Sequence, residues 1–308
     1  MSEKVIQSRR PPALSAGDKI GIAAPARMVS PEEMAPALAM LREWGYVPLE
    51  GPRLYHSDNQ FSGADHERLA DFQMMLDDPS VKAILCARGG YGSVRIIDRL
   101  DFSAFAKNPK WIIGFSDITV FHSHINRHHG IQTLHAPMAI NFPPDGSIND
   151  SLESLKLVLS GGYPEYHFAA HPFNKPGTAS GILCGGNLSM LYSLIGSPSD
   201  IDTNGKILFL EDLDEYLYHI DRMMMNLMRS GKLSKLAGLL VGGMNDMNDN
   251  PRPFGKTAYE IIAGLVEKYH FPVIFDFKSG HISQNLALIM GGHVEMICGS
   301  ECSLTFNQ

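Results

Sequence analysis

A serine, an acid and a histidine, each at or just beyond the end of a short apolar run, are the residues of this chain suited to covalent chemistry. Ser116 lies in Trp111-Ile112-Ile113-Gly114-Phe115-Ser116-Asp117-Ile118-Thr119. There an apolar run meets glycine and a helix-like segment follows. Such a strand–turn–helix junction can hold a hydroxyl up as a nucleophile. Ile118 stands where the G-x-S-x-G form of the motif has its second glycine, so the plainer account is that Ser116 caps the following helix. A serine hydroxyl needs a base, the base needs an orienting partner, and the intermediate's oxyanion needs donors. Glu211 closes the run Leu208-Phe209-Leu210, where it is either that partner or a solvated strand-end acid, and His281 follows Ser279-Gly280. Gly90, in Arg88-Gly89-Gly90-Tyr91-Gly92, can bring an amide close to a ligand because it has no side chain. The Asp117 amide is the second natural donor. The same glycines also fit an ordinary turn, or a phosphate loop without its lysine.

These residues need a scaffold, and strand and helix patterns alternate along the first half. Strands are expected at Lys19 to Ala24, Val47 to Leu49, Val81 to Ala87, from Trp111, and at Thr133 to Ala136. Helices are expected from Ser30-Pro31-Glu32-Glu33, over Asp65 to Leu76, after Gly92 through Leu100, and up to His129. Alternation with short connections predicts an α/β fold, a mostly parallel sheet with helices on both faces. Such sheets bind ligands at the carboxyl ends of their strands, where Arg88–Gly92 and Gly114–Asp117 both fall. Glycines and prolines over 161–180 suggest a linker. The expected division is 1–165, a linker at 166–178, and a smaller β-containing domain at 179–308. In the last, strands are expected at Ser180 to Cys184, Lys206 to Leu210, Leu236 to Val241, Val273 to Phe277, Leu286 to Met290 and Val294 to Ile297. Short and long helices are expected over Leu188–Leu194 and Tyr216–Arg229.

The 308 residues suffice for two domains, and 44% hydrophobic with 19% charged residues is ordinary for a globular protein. A net charge of −7 argues against a nucleic-acid or anionic-membrane binder. No apolar run reaches about 18 residues, so no membrane span is expected. Met1 to Pro12 is polar, is not a secretory signal, and reads as a disordered lead-in. Cys86, Cys184, Cys298 and Cys302 are read as reduced, which fits a cytoplasmic protein.

Five segments in order, Ala87–Gly92, Gly114–Thr119, Gly185-Gly186-Asn187-Leu188-Ser189-Met190-Leu191, Leu208–Asp212 and Gly280-His281, resemble the LD-carboxypeptidase family of serine peptidases. That family includes muramoyltetrapeptide carboxypeptidases and microcin C immunity peptidases, and the resemblance runs from about Lys19 to the C-terminus. It implies Ser116 as nucleophile, His281 as general base and acid, Glu211 as the acid that orients it, and the Gly90 and Asp117 amides as oxyanion hole. The serine would come from the N-terminal α/β domain, Glu and His from the second. The implied reaction is release of terminal D-alanine from a murein tetrapeptide in cell-wall recycling, without metal or cofactor, by a homodimer. Arg88 is either a partner for the substrate carboxylate or a structural ion pair, and Tyr91 and Asn187 are further candidate substrate contacts. Many family members follow the histidine with a Thr-Leu-Pro-Leu-Gly-like segment, where this chain has Leu286-Ala287-Leu288-Ile289-Met290-Gly291.

Two alternatives stand beside the murein reading. One is a microcin-immunity-type peptidase that cleaves peptidyl- or aminoacyl-nucleotide amides; an aromatic residue placed to stack on a base would favour it, and neither Trp44 in the early helix nor Trp111 in the strand before Ser116 is an obvious platform. The other is a non-catalytic α/β ligand-binding protein, for which the Ser116, Glu211 and His281 trio would have no purpose. His124 and His128 are four apart on one helix, but no H-E-x-x-H pattern accompanies them. Asn245–Pro251 resembles an acidic cation loop but lacks the EF-hand glycine and terminal glutamate.

Overall fold

The structure is a computed structural model that describes residues 8–307. Met1 to Gln7 of the expected lead-in lie outside the described residues, but Ser8 to Pro12 are not loose. Arg9 bridges to Ile131, Arg10 Nη2 donates to the Gly162 carbonyl at 2.6 Å, and the Trp111 indole donates to the Pro12 carbonyl at 3.3 Å. Backbone pairing and a satisfied indole order a stretch whose composition alone reads as disordered.

The described residues form two compact units, one running up to residue 162 and including 286–291, the other made of residues 163–285 and those from 292 onward. The first unit has strands β1 (Lys19–Ala23), β2 (Val47–Glu50), β3 (Val81–Cys86), β4 (Trp111–Gly114) and β5 (Thr133–His135). They alternate with α1 (Pro31–Glu43), α2 (Asp65–Asp77), α3 (Ser103–Lys107), α4 (Thr119–His129) and α5 (Asp150–Leu159). The strands lie parallel in the order β2-β1-β3-β4-β5, so the succession reverses between β1 and β3. At such a switch point the chain leaves the two strands in opposite directions and opens a crevice at their carboxyl ends. The strand residues Ile20, Ile22, Ile84, Ile112 and Trp111 are fully buried, which explains why these strands read as continuous apolar runs. α1 starts where the sequence signals: Ser30 Oγ accepts from the Glu33 amide and Glu33 Oε2 from the Ser30 amide.

The helix expected after Gly92 is instead two 3-10 turns, Ser93–Arg95 and Ile97–Arg99. The Ser93 amide is taken by the Asp117 carboxylate at 2.8 Å and the Gly92 carbonyl accepts from Arg68 at 3.1 Å. The groups that would open a regular helix are thus engaged with the core.

The second unit holds β6 (Glu165–Ala169), β7 (Gly177–Asn187), β8 (Ile207–Leu213), β9 (Gly238–Asn245) and β10 (Val273–Ile274), with α6 (Leu188–Leu194), α7 (Leu217–Arg229) and α8 (Ala258–Val266). After it come β11 (Leu288–Met290), β12 (His293–Cys298) and β13 (Glu301–Phe306). The second sheet runs β10-β9-β8-β7-β12-β13-β6, parallel from β10 to β7 and antiparallel beyond. An α/β architecture with a second, β-based region is therefore present as expected. The stretch read as linker carries β6 in its first residues, with Tyr166 and Phe168 half-buried between exposed Glu165 and His167. That period of two is the mark of an edge strand. α3, α5, α8 and β13 are elements the sequence reading did not pick out.

β11 departs most from expectation. It does not extend the second sheet but pairs antiparallel with β5 in the first, Leu288 opposite His135 and Met290 opposite Thr133. The chain thus crosses back into the first unit just after the histidine segment and leaves again at Gly291.

Candidate active site

In the first unit, Ser116 sits two residues beyond β4 with φ +64. This left-handed conformation is rare for a residue with a side chain and marks a sharp strand-to-helix turn. Ser116–Ile118 form a 3-10 turn that runs into α4, and neither helix start is capped by the serine hydroxyl. The hydroxyl therefore does not act as a cap, and the turn has the shape a raised nucleophile needs. Gly114 makes the turn feasible: a Cβ there would lie 2.8 Å from Ile118 Cγ1. Gly89 faces the serine, and a Cβ on it would come within 3.2 Å of Ser116 Oγ. Gly90, at φ +102, follows directly.

The glycine loop is pinned from beneath. Asp117 is 1% exposed, and its carboxylate receives the Ser93 amide at 2.8 Å. Burial raises its pKa, against hydrogen bonds from Ser93 and Gly92 and the nearby Arg68 charge. Arg68, buried itself, donates to the Pro25 and Gly92 carbonyls and pairs with Asp65. Asp117 thus contributes twice: its amide directly follows Ser116, and its side chain ties down the segment next to Gly90 through the Ser93 amide.

In the second unit, Glu211 lies within β8, not solvated at its end, and is 0% exposed. Its Oε2 accepts from His281 Nδ1 at 2.6 Å and from the His281 amide at 3.2 Å. Oε1 is buried with no hydrogen-bond partner among the described residues, so the imidazole is the main compensation for this carboxylate. An ionised carboxylate only accepts, which places the proton on Nδ1 and leaves Nε2 as the basic nitrogen. Burial disfavours the imidazolium, but the Glu211 charge and hydrogen bond, helped by Asp212, outweigh it and raise the His281 pKa.

The sheet is deformed to make this contact. Between Leu210 and Asp212 of β8, the partner β9 advances from Val241 to Met244, a bulge at Gly242-Gly243. A Cβ on Gly242 would lie 2.4 Å from the Ser279 carbonyl, and the Gly243 amide donates to that carbonyl at 3.0 Å. Gly280 has φ +110, and a Cβ there would sit 2.7 Å from Glu211 Cβ. Asn285 Oδ1 closes the turn, accepting from Ser279 Oγ at 3.0 Å and from the Gly280 amide at 2.9 Å. Sequence reasoning missed Asn285, Gly242 and Gly243. A Gly-Gly pair inside an apolar strand was the available signal.

The other named residues have plainer surroundings. Arg88 pairs with Glu33 at 3.4 Å. Tyr91 is 45% exposed and leans on Phe61. Asn187 is buried and caps α6, accepting from the Met190 amide and donating to Asp212 Oδ1 at 2.9 Å. Asp212, pushed up to about 7 first by burial and then by Glu211, also accepts from the Ser189 amide. The His124 and His128 rings lie 4.6 Å apart and tilted at 49°, and burial takes the His124 pKa down to about 4. Among the described residues no cluster of three or more His, Cys, Asp or Glu side chains is placed to hold a metal, and no helix is long and apolar enough to cross a membrane.

Comparison with known proteins identifies the family. The LD-carboxypeptidase N-terminal domain matches residues 20–136 and the LD-carboxypeptidase C-terminal domain residues 180–296. The chain is 37% identical to a probable murein peptide carboxypeptidase of Bacillus subtilis, over 93% of this chain and 91% of that protein. It is 26% identical to the microcin C7 self-immunity protein MccF of Escherichia coli, over 90% of each. The crystal structure of muramoyltetrapeptide carboxypeptidase from Oxalobacter formigenes superposes with a TM-score of 0.86 at 27% identity, covering 94% of this chain and 99% of that one. A raised serine, a buried Glu–His pair and these similarities place the chain in the LD-carboxypeptidase family, as a serine-type carboxypeptidase.

Proposed function

We propose that the protein releases terminal D-alanine from murein tetrapeptides, with Ser116 as nucleophile, His281 as general base and acid, and Glu211 as its orienting partner. The observation that carries this reading is the 2.6 Å hydrogen bond from His281 Nδ1 to the buried Glu211. It commits one face of the imidazole and raises its basicity, which a serine hydroxyl requires. Ser116 Oγ attacks the carbonyl that precedes D-alanine, and its proton passes to His281 Nε2. The Gly90 and Asp117 amides receive the oxyanion. Collapse breaks the C–N bond, and His281 returns the proton to the leaving amine of D-alanine. Water then gives a proton to His281 and adds to the ester carbonyl; the ester C–O bond breaks, His281 returns that proton to Ser116 Oγ, and the peptide acid leaves. The names of the Bacillus subtilis and Oxalobacter formigenes proteins support a murein substrate.

The second reading, cleavage of an aminoacyl-nucleotide amide, is favoured by the similarity to the microcin self-immunity protein and by the exposed Tyr91 ring. Against it, both tryptophans are engaged: Trp111 is fully buried, and Trp44 packs on Phe142 under Lys156. The four cysteines, all buried and unpaired, support a reducing compartment such as the cytoplasm. A homodimer in a cell-wall recycling role completes the proposal, and sedimentation velocity tests the dimer.

The deciding assay is D-alanine release from a murein tetrapeptide. The wild type should release it and Ser116→Ala should fall by about 10⁴-fold or more. A folded wild type that spares the tetrapeptide but cleaves aminoacyl-sulfamoyl adenosine would establish the second reading instead.

A further inference from the structure

A carboxypeptidase must recognise a free carboxylate one residue beyond the scissile carbonyl. Bidentate pairing with an arginine is the strongest common solution. The net charge of −7 makes a local cation more necessary still. Around the carboxyl ends of the first sheet, three arginines are already engaged. Arg68 is buried and holds the loop, Arg95 pairs with Asp65 at 2.8 Å, and Arg88 pairs with Glu33 at 3.4 Å. Arg27 differs: its side chain is exposed, and among the described residues no carboxylate pairs with it.

Arg27 is also in the right place. It follows β1 at the strand-order reversal, and its amide donates to the Gly89 carbonyl at 3.3 Å. Its stem crosses the face of Gly90, so that a Cβ there would meet Arg27 Cγ at 2.5 Å. Gly89, one residue earlier, faces Ser116, with a Cβ position 3.2 Å from the serine Oγ. The dipeptide Gly89-Gly90 thus has the nucleophile on one residue and the Arg27 stem on the next. Successive Cα atoms are about 3.8 Å apart, the length of a one-residue leaving group. The missing side chain at Gly90 serves two ends, an accessible amide and room for the arginine.

We propose that Arg27, rather than Arg88, binds the terminal carboxylate of the peptide substrate and so sets the enzyme's preference for a free C-terminus. This rests on the carboxypeptidase reading above. Binding of this kind acts on substrate and transition state alike, so its loss appears mainly in KM.

The test compares a murein tetrapeptide ending in D-alanine with the same peptide ending in D-alaninamide. Wild type should favour the acid by about 10- to 100-fold in kcat/KM, the size of one charge-assisted pair. Arg27→Gln should lose that factor on the acid, chiefly through KM, and leave the amide unchanged. Arg27→Lys should recover part of it. Arg88→Gln, whose guanidinium is held by Glu33, should keep the preference within about threefold. An Arg27→Gln enzyme that retains the wild-type acid-to-amide ratio overturns the assignment. A folded wild type that cleaves neither peptide, releasing no D-alanine from the acid and no D-alaninamide from the amide, overturns the substrate reading and this assignment with it, a result distinct from an unchanged ratio.

Discussion

The serine turn of the first unit and the histidine turn of the second are held by different means. Ser116 is held by backbone geometry: φ +64, Gly114 packed on Ile118, and Gly89 close against its hydroxyl. The side chains that help, Asp117 and Arg68, act on the neighbouring loop rather than on the serine. His281 is held by side chains, with Glu211 on its ring nitrogen and Asn285 on the preceding turn. A nucleophile needs a fixed position, which a strained backbone supplies. A base needs position and also a tuned proton affinity, which here a buried, hydrogen-bonded carboxylate raises against the opposing effect of burial.

Substitutions on the histidine side separate these two needs. Of the two residues that hold the imidazole, Glu211 should matter more: Glu211→Gln removes the charge and should cost about 10³- to 10⁴-fold in kcat. It should also move the pH profile. The base acts when neutral, so kcat/KM of the wild type rises as pH climbs through the raised His281 pKa. In Glu211→Gln that rising limb should shift to lower pH. The stability consequence has a definite sign. Protonated His281 is favoured by the fold, so this contribution is full below the unfolded-state value of about 6.5 and is lost as pH rises through the folded value. A profile that stays in place would mean that Glu211 does not tune the base.

Asn285→Ala leaves the charge and loosens only the turn. A smaller loss is expected, about 10-fold in kcat with KM nearly unchanged, and Asn285→Asp should restore most of it because the acceptor oxygen remains. If Asn285→Ala shifted the pH limb as far as Glu211→Gln, position and charge would not be separable on this side.

The difference between the turns also explains what could be read from the sequence. The serine turn is local: strand, glycine, serine and helix are contiguous, so the motif was visible in residues 111–119. The first sheet was legible for the same reason, because its inner parallel strands β1, β3 and β4 are buried apolar runs that alternate with helices along the chain. The Glu211–His281 contact joins residues 70 apart. No periodicity in the chain encodes it, and only the resemblance to a family selected His281 among 13 histidines. The Gly242-Gly243 pair inside an apolar run signalled an irregularity but not its partner, the Ser279 carbonyl, and nothing in the sequence marks Asn285 as the residue that closes the turn before His281. β11 was read as a strand, but its apolar run does not say which sheet it joins. Tertiary pairing with β5 decided that.

The central claim is that Ser116 and His281 act as one catalytic unit, and a double-mutant cycle in kcat for D-alanine release tests it most directly. Ser116→Ala and His281→Ala should each lose about 10⁴- to 10⁶-fold, and the double variant should lose no more than about threefold beyond either, because a nucleophile without its base is already disabled. Losses that multiply in the double variant would show two residues contributing independently, and would contradict the account.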